Sequence, residues 1–262
     1  MIKKTFREKY GPYALVAGGS YGLGEAYAEA LAEREMNLVL ISRAKEKLEA
    51  TAKRLKEKYS VDVKTVPADI GDFERVKSLI AGINVSVGLL VYNAACAPIG
   101  LFENTGEEDL ARTAAVNVKG PLLLAKFLSA PMIQNRRGGI VLMSSLVGSQ
   151  GSPKLAAYAA TKAFNAVLAE GLWKELKPHG VDVIGCVAGA ILTPGYRQAE
   201  KSRPAPGTLE AREVAEQTLR ALGKGPIVIP GSTNKIARFL MARILSRKAA
   251  INMMAKNTGG LS

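Results

Sequence analysis

The chain is poor in the residues that build metal sites and disulfide frameworks. Its 262 residues include two cysteines, Cys96 and Cys186, and one histidine, His179. No Cys-x-x-Cys pair occurs, so no Cys/His zinc site and no metal are expected. Two cysteines far apart in sequence also argue against a disulfide framework, and a reducing compartment fits. Long apolar runs are missing too. No stretch reaches the roughly 18 uninterrupted apolar residues of a membrane span, and the opening MIKKTFREKYGPY lacks the apolar core of a signal peptide. A cytoplasmic location is the expectation. Acidic residues are the scarcer charge, 23 Asp+Glu against 36 Lys+Arg, for a formal net charge of +13. Such a surface attracts anions such as nucleotides, acyl carriers or lipid headgroups, or serves solubility alone. No nucleic-acid partner is expected. The lone His179 lies in a helix-ending Lys177-Pro178-His179-Gly180, which disfavours a Ser/His hydrolase.

What is abundant is an alternation of short apolar runs with helical periodicity. Strands are expected at 13–17, 38–41, 61–66, 89–92, 139–143, 181–187 and 227–229. Helices are expected at 22–35, 45–59, 73–81, 107–134, 154–176, 209–222 and 235–254, on the spacing of apolar residues at i, i+3 and i+4. Repeated β-α units predict an α/β fold: a single Rossmann-type, doubly wound parallel sheet of about seven strands with helices on both faces. No linker or repeat interrupts 1–262, so one domain is expected. A looser Pro/Gly-rich stretch lies at 193–208.

The first strand runs into Ala17-Gly18-Gly19-Ser20-Tyr21-Gly22-Leu23-Gly24, inside which a helix begins. Backbone N–H groups at a helix N-terminus bind phosphate, and glycines let a pyrophosphate approach the main chain. The spacing is Gly-x-x-x-Gly-x-Gly; Tyr27 stands where the Gly-x-Gly-x-x-Gly fingerprint would have its last glycine. The second strand ends Leu40-Ile41-Ser42-Arg43, without the carboxylate that would hold a ribose 2′-hydroxyl. Arg43 offers a planar fork of donors suited to a phosphate, and Ser42 adds a hydroxyl. This favours NADPH over NADH. The plain alternative for Arg43 is a cap on the sheet edge.

Tyr158 and Lys162, at i and i+4 near the start of a helix, share one helical face. A cation there favours phenolate and is expected to bring the Tyr158 pKa down toward working pH. Ser145, upstream at a strand end, lies where sites collect in parallel sheets.

In these features the sequence resembles the short-chain dehydrogenase/reductase family, over nearly the whole chain. Gly18, Gly22 and Gly24, Asn117, Ser145 and Tyr158-x-x-x-Lys162 stand in the family's order and spacing. The resemblance implies hydride transfer between NADP(H) and a ketone or secondary alcohol. Tyr158 would donate the proton and Ser145 orient the carbonyl oxygen. Lys162 would bind the nicotinamide ribose, and Asn117 would hold a water linking Lys162 to solvent. Asp69 and Ile70 match the adenine contact, and Thr193 the residue holding the carboxamide. Ser20, Tyr21, Leu23 and Asn93 complete the cofactor-binding set. The sequence departs from the family pattern at Ala17 for Thr, at Tyr92-Asn93-Ala94-Ala95 for Asn-Asn-Ala-Gly, and at Ala188 for Pro. Arg7–Gly11 and 41–48 look like hydroxysteroid dehydrogenases and 3-oxoacyl reductases, and the Tyr-x-Ala at Tyr92–Ala94 is similar to some bacterial bile-acid hydroxysteroid dehydrogenases. The resemblance also implies that 193–208, with Tyr196, Arg197, Lys201 and Arg203, is a substrate lid. The family also implies a homo-oligomer, a dimer or tetramer.

From position 217 onward there are eight Lys/Arg and no Asp/Glu. Within this basic tail, 231–262, the expected helix is amphipathic. It suits closure of a pocket, a subunit interface or contact with an anionic membrane surface. A catalytically silent NADP(H) sensor is the other alternative; it would have dispensed with Tyr158 or Lys162, and both are present.

Overall fold

A computed structural model describes residues 4–194, 196 and 205–258. A short helix, α1 (Phe6–Tyr10), precedes the alternation, closed at its start by a capping box between Thr5 and Glu8. There follow β1 (Tyr13–Ala17), α2 (Gly22–Ala32), β2 (Asn37–Ser42), α3 (Lys45–Tyr59), β3 (Val63–Pro67), α4 (Phe73–Ile83) and β4 (Val87–Tyr92). The second half holds α5 (Glu107–Ala114), α6 (Gly120–Gln134), β5 (Gly138–Ser145), α7 (Ala156–Leu176) and β6 (Val181–Ala188). It ends with β7 (Ile191–Leu192), β8 (Leu209–Glu210), α8 (Ala211–Ala221), β9 (Ile227–Val228), α9 (Ser232–Phe239) and α10 (Arg247–Thr258).

Seven strands form one sheet in the order β3-β2-β1-β4-β5-β6-β9, all parallel. Its inner strands are buried on both faces, as a doubly covered sheet requires. In β1, Ala14 and Val16 belong to one apolar layer while Leu15 and Ala17 belong to the other. Strand order reverses between β1 and β4. At that switch point the carboxyl ends of the strands open a crevice suited to ligands. Among the described residues, no helix is long and apolar enough to cross a membrane.

The expected elements are present, with differences in detail. The helix expected over 22–35 ends at Ala32, because Glu35 takes a left-handed turn at φ +59°. The one expected over 154–176 starts at Ala156, after Lys154 at φ +61°. Leu209 and Glu210 pair with Ile191 and Leu192 as a separate two-stranded ribbon, so that helix begins at Ala211. The single tail helix expected at 235–254 is two helices, α9 running through a π turn (Leu240–Ile244) and α10 starting at Arg247. Of the 193–208 stretch, 195 and 197–204 lie outside the described residues.

Candidate active site

The site is built outward from the end of β1. Gly18 sits at φ +80°, a conformation that side-chain-bearing residues rarely adopt. A Cβ on Gly24 would lie 1.8 Å from the Gly18 carbonyl oxygen, so helix α2 packs against the loop only with glycine there. Tyr21, before the first turn of α2, gives no side-chain cap to that helix. The leading N–H groups are therefore left for another acceptor. Beside the loop lies a cleft of about 600 Å³. Every residue expected to hold the cofactor lines it except Gly24, Tyr158 and Lys162. Glycine backbone, an uncapped helix start and this volume fit a dinucleotide.

At the far edge of the cleft, the Ser20 hydroxyl donates to Ser42 Oγ at 2.7 Å. Arg43 is 63% exposed and lies 3.8 Å from Asp69 Oδ2, too far for a firm hold. Asp69 is held instead by Arg112 of α5, whose Nη2 donates to Oδ2 at 3.0 Å, and by the Gly71 N–H at 2.9 Å. Arg112 was not legible as a site residue. It lies inside a helical run, and only its reach to Asp69, in the turn after β3, brings it to the cleft.

Ser145 closes β5 and is half-buried; its Oγ accepts from the Val147 N–H at 3.4 Å. Tyr158 lies in the first turn of α7 and Lys162 one turn further on, buried, with Nζ 5.3 Å from the Tyr158 ring centre. Lys162 Nζ donates to the Met143 carbonyl at 3.0 Å, and Ser144 Oγ donates to the Lys162 carbonyl at 2.7 Å. The helix bearing the tyrosine is thereby tied to the strand bearing the serine. The fingerprint-breaking Tyr27 joins the same knot, its hydroxyl 3.2 Å from Met143 Sδ and fully buried. Burial pushes the Tyr158 phenol up to about 12 and the Lys162 ammonium down to about 8. This corrects the expectation of a depressed tyrosine. The ammonium is committed to the Met143 carbonyl, and removal from water outweighs its attraction for phenolate.

Asn117 lies in a π turn, Ala115–Lys119, between α5 and α6, which interrupts the single helix expected at 107–134. There the Gly120 N–H bonds the Ala115 carbonyl rather than that of Val116. The Val116 carbonyl, freed from the ladder, accepts from the Tyr92 hydroxyl at 2.5 Å. Tyr92, one of the departures from the family pattern, thus satisfies a buried acceptor that the π turn creates. Asn117 itself is fully buried. Its amide donates to the Cys96 carbonyl (2.7 Å) and to Thr161 Oγ1 (3.0 Å), and its Oδ1 accepts from the Cys96 N–H (2.8 Å). Both donors are committed, which leaves the second Oδ1 lone pair and the main-chain carbonyl for a water. That carbonyl already receives Asn165 Nδ2 at 3.3 Å.

The Tyr92–π turn contact depends on a missing side chain. A Cβ at Gly120 would stand 2.1 Å from the Tyr92 hydroxyl. Gly120→Ala is expected to cost about 1–3 kcal/mol, the scale of overpacking, and Tyr92→Phe should recover part of that loss. Chemical denaturation of the two single variants and the double variant measures the coupling; strictly additive losses would contradict the contact.

Thr193 also lines the cleft; its Oγ1 accepts from the Tyr196 N–H at 3.1 Å. Arg197, Lys201 and Arg203 of the expected lid lie outside the described residues. Among the described residues no cluster of His, Cys, Asp or Glu suits a metal.

The short-chain dehydrogenase family model matches residues 12–204. The chain is 36% identical over 209 residues to a very-long-chain 3-oxoacyl-CoA reductase of Podospora anserina, covering 76% of this chain and 60% of that relative's length. Its fold superposes on a structure of a 7β-hydroxysteroid dehydrogenase with a TM-score of 0.90 at 28% identity, covering 96% of this chain and 99% of the other. A short-chain dehydrogenase from Sphingobium yanoikuyae in complex with NADPH superposes with a TM-score of 0.79 at 28% identity, covering 90% and 97%. The glycine loop, the seven-stranded sheet and these matches agree: the chain belongs to the short-chain dehydrogenase family of oxidoreductases.

Proposed function

We propose that this chain interconverts a ketone and a secondary alcohol with NADP(H), on an apolar substrate of the steroid or 3-oxoacyl class. The observation that carries the reaction is the seating of Ser145, Tyr158 and Lys162 on β5 and α7, tied together through Met143 and Ser144. The substrate class rests on the two kinds of relative named above.

When bound, the reduced nicotinamide supplies a hydride to the carbonyl carbon. The chain's own residues handle the charge that develops on the oxygen. Tyr158 gives its phenolic proton to that oxygen, and Ser145 Oγ donates a hydrogen bond to it. Lys162 leaves the Met143 carbonyl for the ribose hydroxyls and offsets the phenolate that Tyr158 becomes. Asn117 holds the loop after β4 against α7 through Cys96 and Thr161, which fixes the wall of the site.

Arg43 is exposed and loosely held at the edge of the cleft, where it suits the 2′-phosphate. Arg112 keeps the neighbouring Asp69 carboxylate occupied, which lessens its repulsion of that phosphate. Arg43→Asp is expected to weaken NADPH binding roughly 10- to 100-fold, the worth of one charge-assisted contact of about 1.5–3 kcal/mol. The preference should turn toward NADH. Fluorescence titration with both cofactors checks this. A wild type that binds NADH more tightly would contradict the reading of Arg43. The reaction itself is tested by following NADPH absorbance with steroid ketones and 3-oxoacyl thioesters. Turnover of neither class would overturn the substrate assignment.

A further inference from the structure

Two exposed patches of opposite charge flank the segment 146–155, which leads from Ser145 to α7. The first is apolar and acidic. Leu101 and Phe102 are 49% and 62% exposed, and Glu103, Glu107, Glu108 and Asp109 follow, all exposed. This loop is fixed beside the segment by the Gly100 N–H, which donates to the Lys154 carbonyl at 3.0 Å. The second is apolar and basic. Ile236, Phe239, Leu240 and Ile244 form one stripe at i, i+3/i+4 and i+8, between 44% and 63% exposed. Lys235, Arg243, Arg247 and Lys248 border it, also exposed. It is fixed by Arg247 Nη1, which donates to the Ser149 carbonyl at 2.9 Å, and by Ile251, 3.9 Å from where a Gly151 Cβ would lie.

Large side chains clustered in this way are unusual on a surface that only meets water. The charges are equally unspent. Glu103, Glu107, Glu108, Asp109, Lys235, Arg243 and Lys248 form no salt bridge among the described residues. Some charges on other faces do find partners, as Arg34 does with Glu216 and Arg54 with Glu25 and Glu29.

We propose that the two patches are the complementary halves of one interface between copies of this chain. The basic ridge of one copy seats on the acidic loop of its partner, and a two-fold axis repeats the contact in the opposite sense. Apolar side chains supply the contact area, and the opposed charges set orientation and exclude a mismatched register. A lipid surface fits less well. The acidic loop borders the same segment as the basic ridge and would be pressed against anionic headgroups.

The test uses the full chain and two charge-reversed variants. One carries Arg243→Glu with Lys248→Glu, the other Glu107→Lys with Glu108→Lys. Light scattering and sedimentation velocity give the masses. The expected result is that each variant alone has half the wild-type mass, and that an equimolar mixture of the two regains it, because the reversed ridge then meets the reversed loop. A third variant, Phe239→Ser with Ile244→Ser, should also halve the mass, and thermal melting checks that each variant is folded. Variants that keep the wild-type mass, a monomeric wild type, or a mixture that stays dissociated would each overturn the proposal. Vesicles of phosphatidylcholine with phosphatidylglycerol form the last arm. Sedimentation of wild type with them, lost in the ridge variant while the mass is unchanged, would give the ridge to lipid and overturn it as well.

Discussion

Tyr158→Phe is expected to lower turnover by roughly 10²–10⁴-fold, the scale of a general acid removed from its place, while cofactor binding stays near the wild-type level. The variant keeps the ring that stacks under Lys162 and removes the one proton the site places at the carbonyl oxygen. Ser145 remains to hydrogen-bond the developing charge, so residual activity is expected. The raised phenol sharpens the point. With burial holding Tyr158 up to about 12, the group is fully protonated at neutral pH and ready to act as an acid in the reduction direction. Oxidation of the alcohol needs phenolate and should accelerate as pH rises. Steady-state kinetics in both directions measure this. Near-normal reduction by Tyr158→Phe would assign the proton to another group.

Lys162→Met is expected to lower kcat/KM by roughly 10²–10³-fold, comparable with the loss of one preorganised electrostatic contact, and unlike Tyr158→Phe to weaken cofactor binding too. The free protein holds Lys162 down to about 8, because its ammonium is buried. Above that pH the ammonium is lost, so kcat/KM for the cofactor should fall, and this limb should be absent in Lys162→Met. The same shift predicts a stability effect with a defined sign. The folded pKa lies below the ordinary value of 10.5, so between about 8 and 10.5 the unfolded chain binds more protons than the folded one. Over that window the wild type should gain stability relative to the variant, and below it the gap should be constant. Denaturation at a series of pH values measures it; a gap that stays constant through that window would place Lys162 in a solvated environment.

What was legible in the sequence was what is local. The glycine loop, Tyr158 and Lys162 lie within single turns or one helical face, so their spacing marked them and the family resemblance implied their roles. The seven strands were legible because a doubly covered parallel sheet needs continuous apolar runs, as in Val87–Tyr92, which is buried throughout. What escaped depends on contacts between distant segments. The π turn at Ala115–Lys119 carries no signal in its own residues. It is stabilised by Tyr92 on β4, by the small Gly120 and by Asn117 reaching Cys96. Arg112 reads as an ordinary helix-surface cation until α5 is packed against Asp69. The tail reads as one amphipathic helix because apolar and basic residues keep their period through Leu245, although the backbone there turns extended and α10 starts anew. Tyr158's raised pKa escaped for the same reason. Sequence gave the nearby cation but neither the desolvation nor the Met143 carbonyl that holds the ammonium.

The central claim is hydride transfer from a bound nicotinamide to a ketone carbon, with the proton supplied by the protein. Tracing the label tests it most directly. The full-length protein is incubated with NADPH deuterated at C4 and a steroid ketone or 3-oxoacyl thioester, and the product alcohol is examined by mass spectrometry and NMR. The account predicts one deuterium on the carbinol carbon from one face of the cofactor only, with formation of that product suppressed in Tyr158→Phe. An alcohol carrying hydrogen from water at that carbon, or the same labelled product at undiminished rate from Tyr158→Phe, would contradict it.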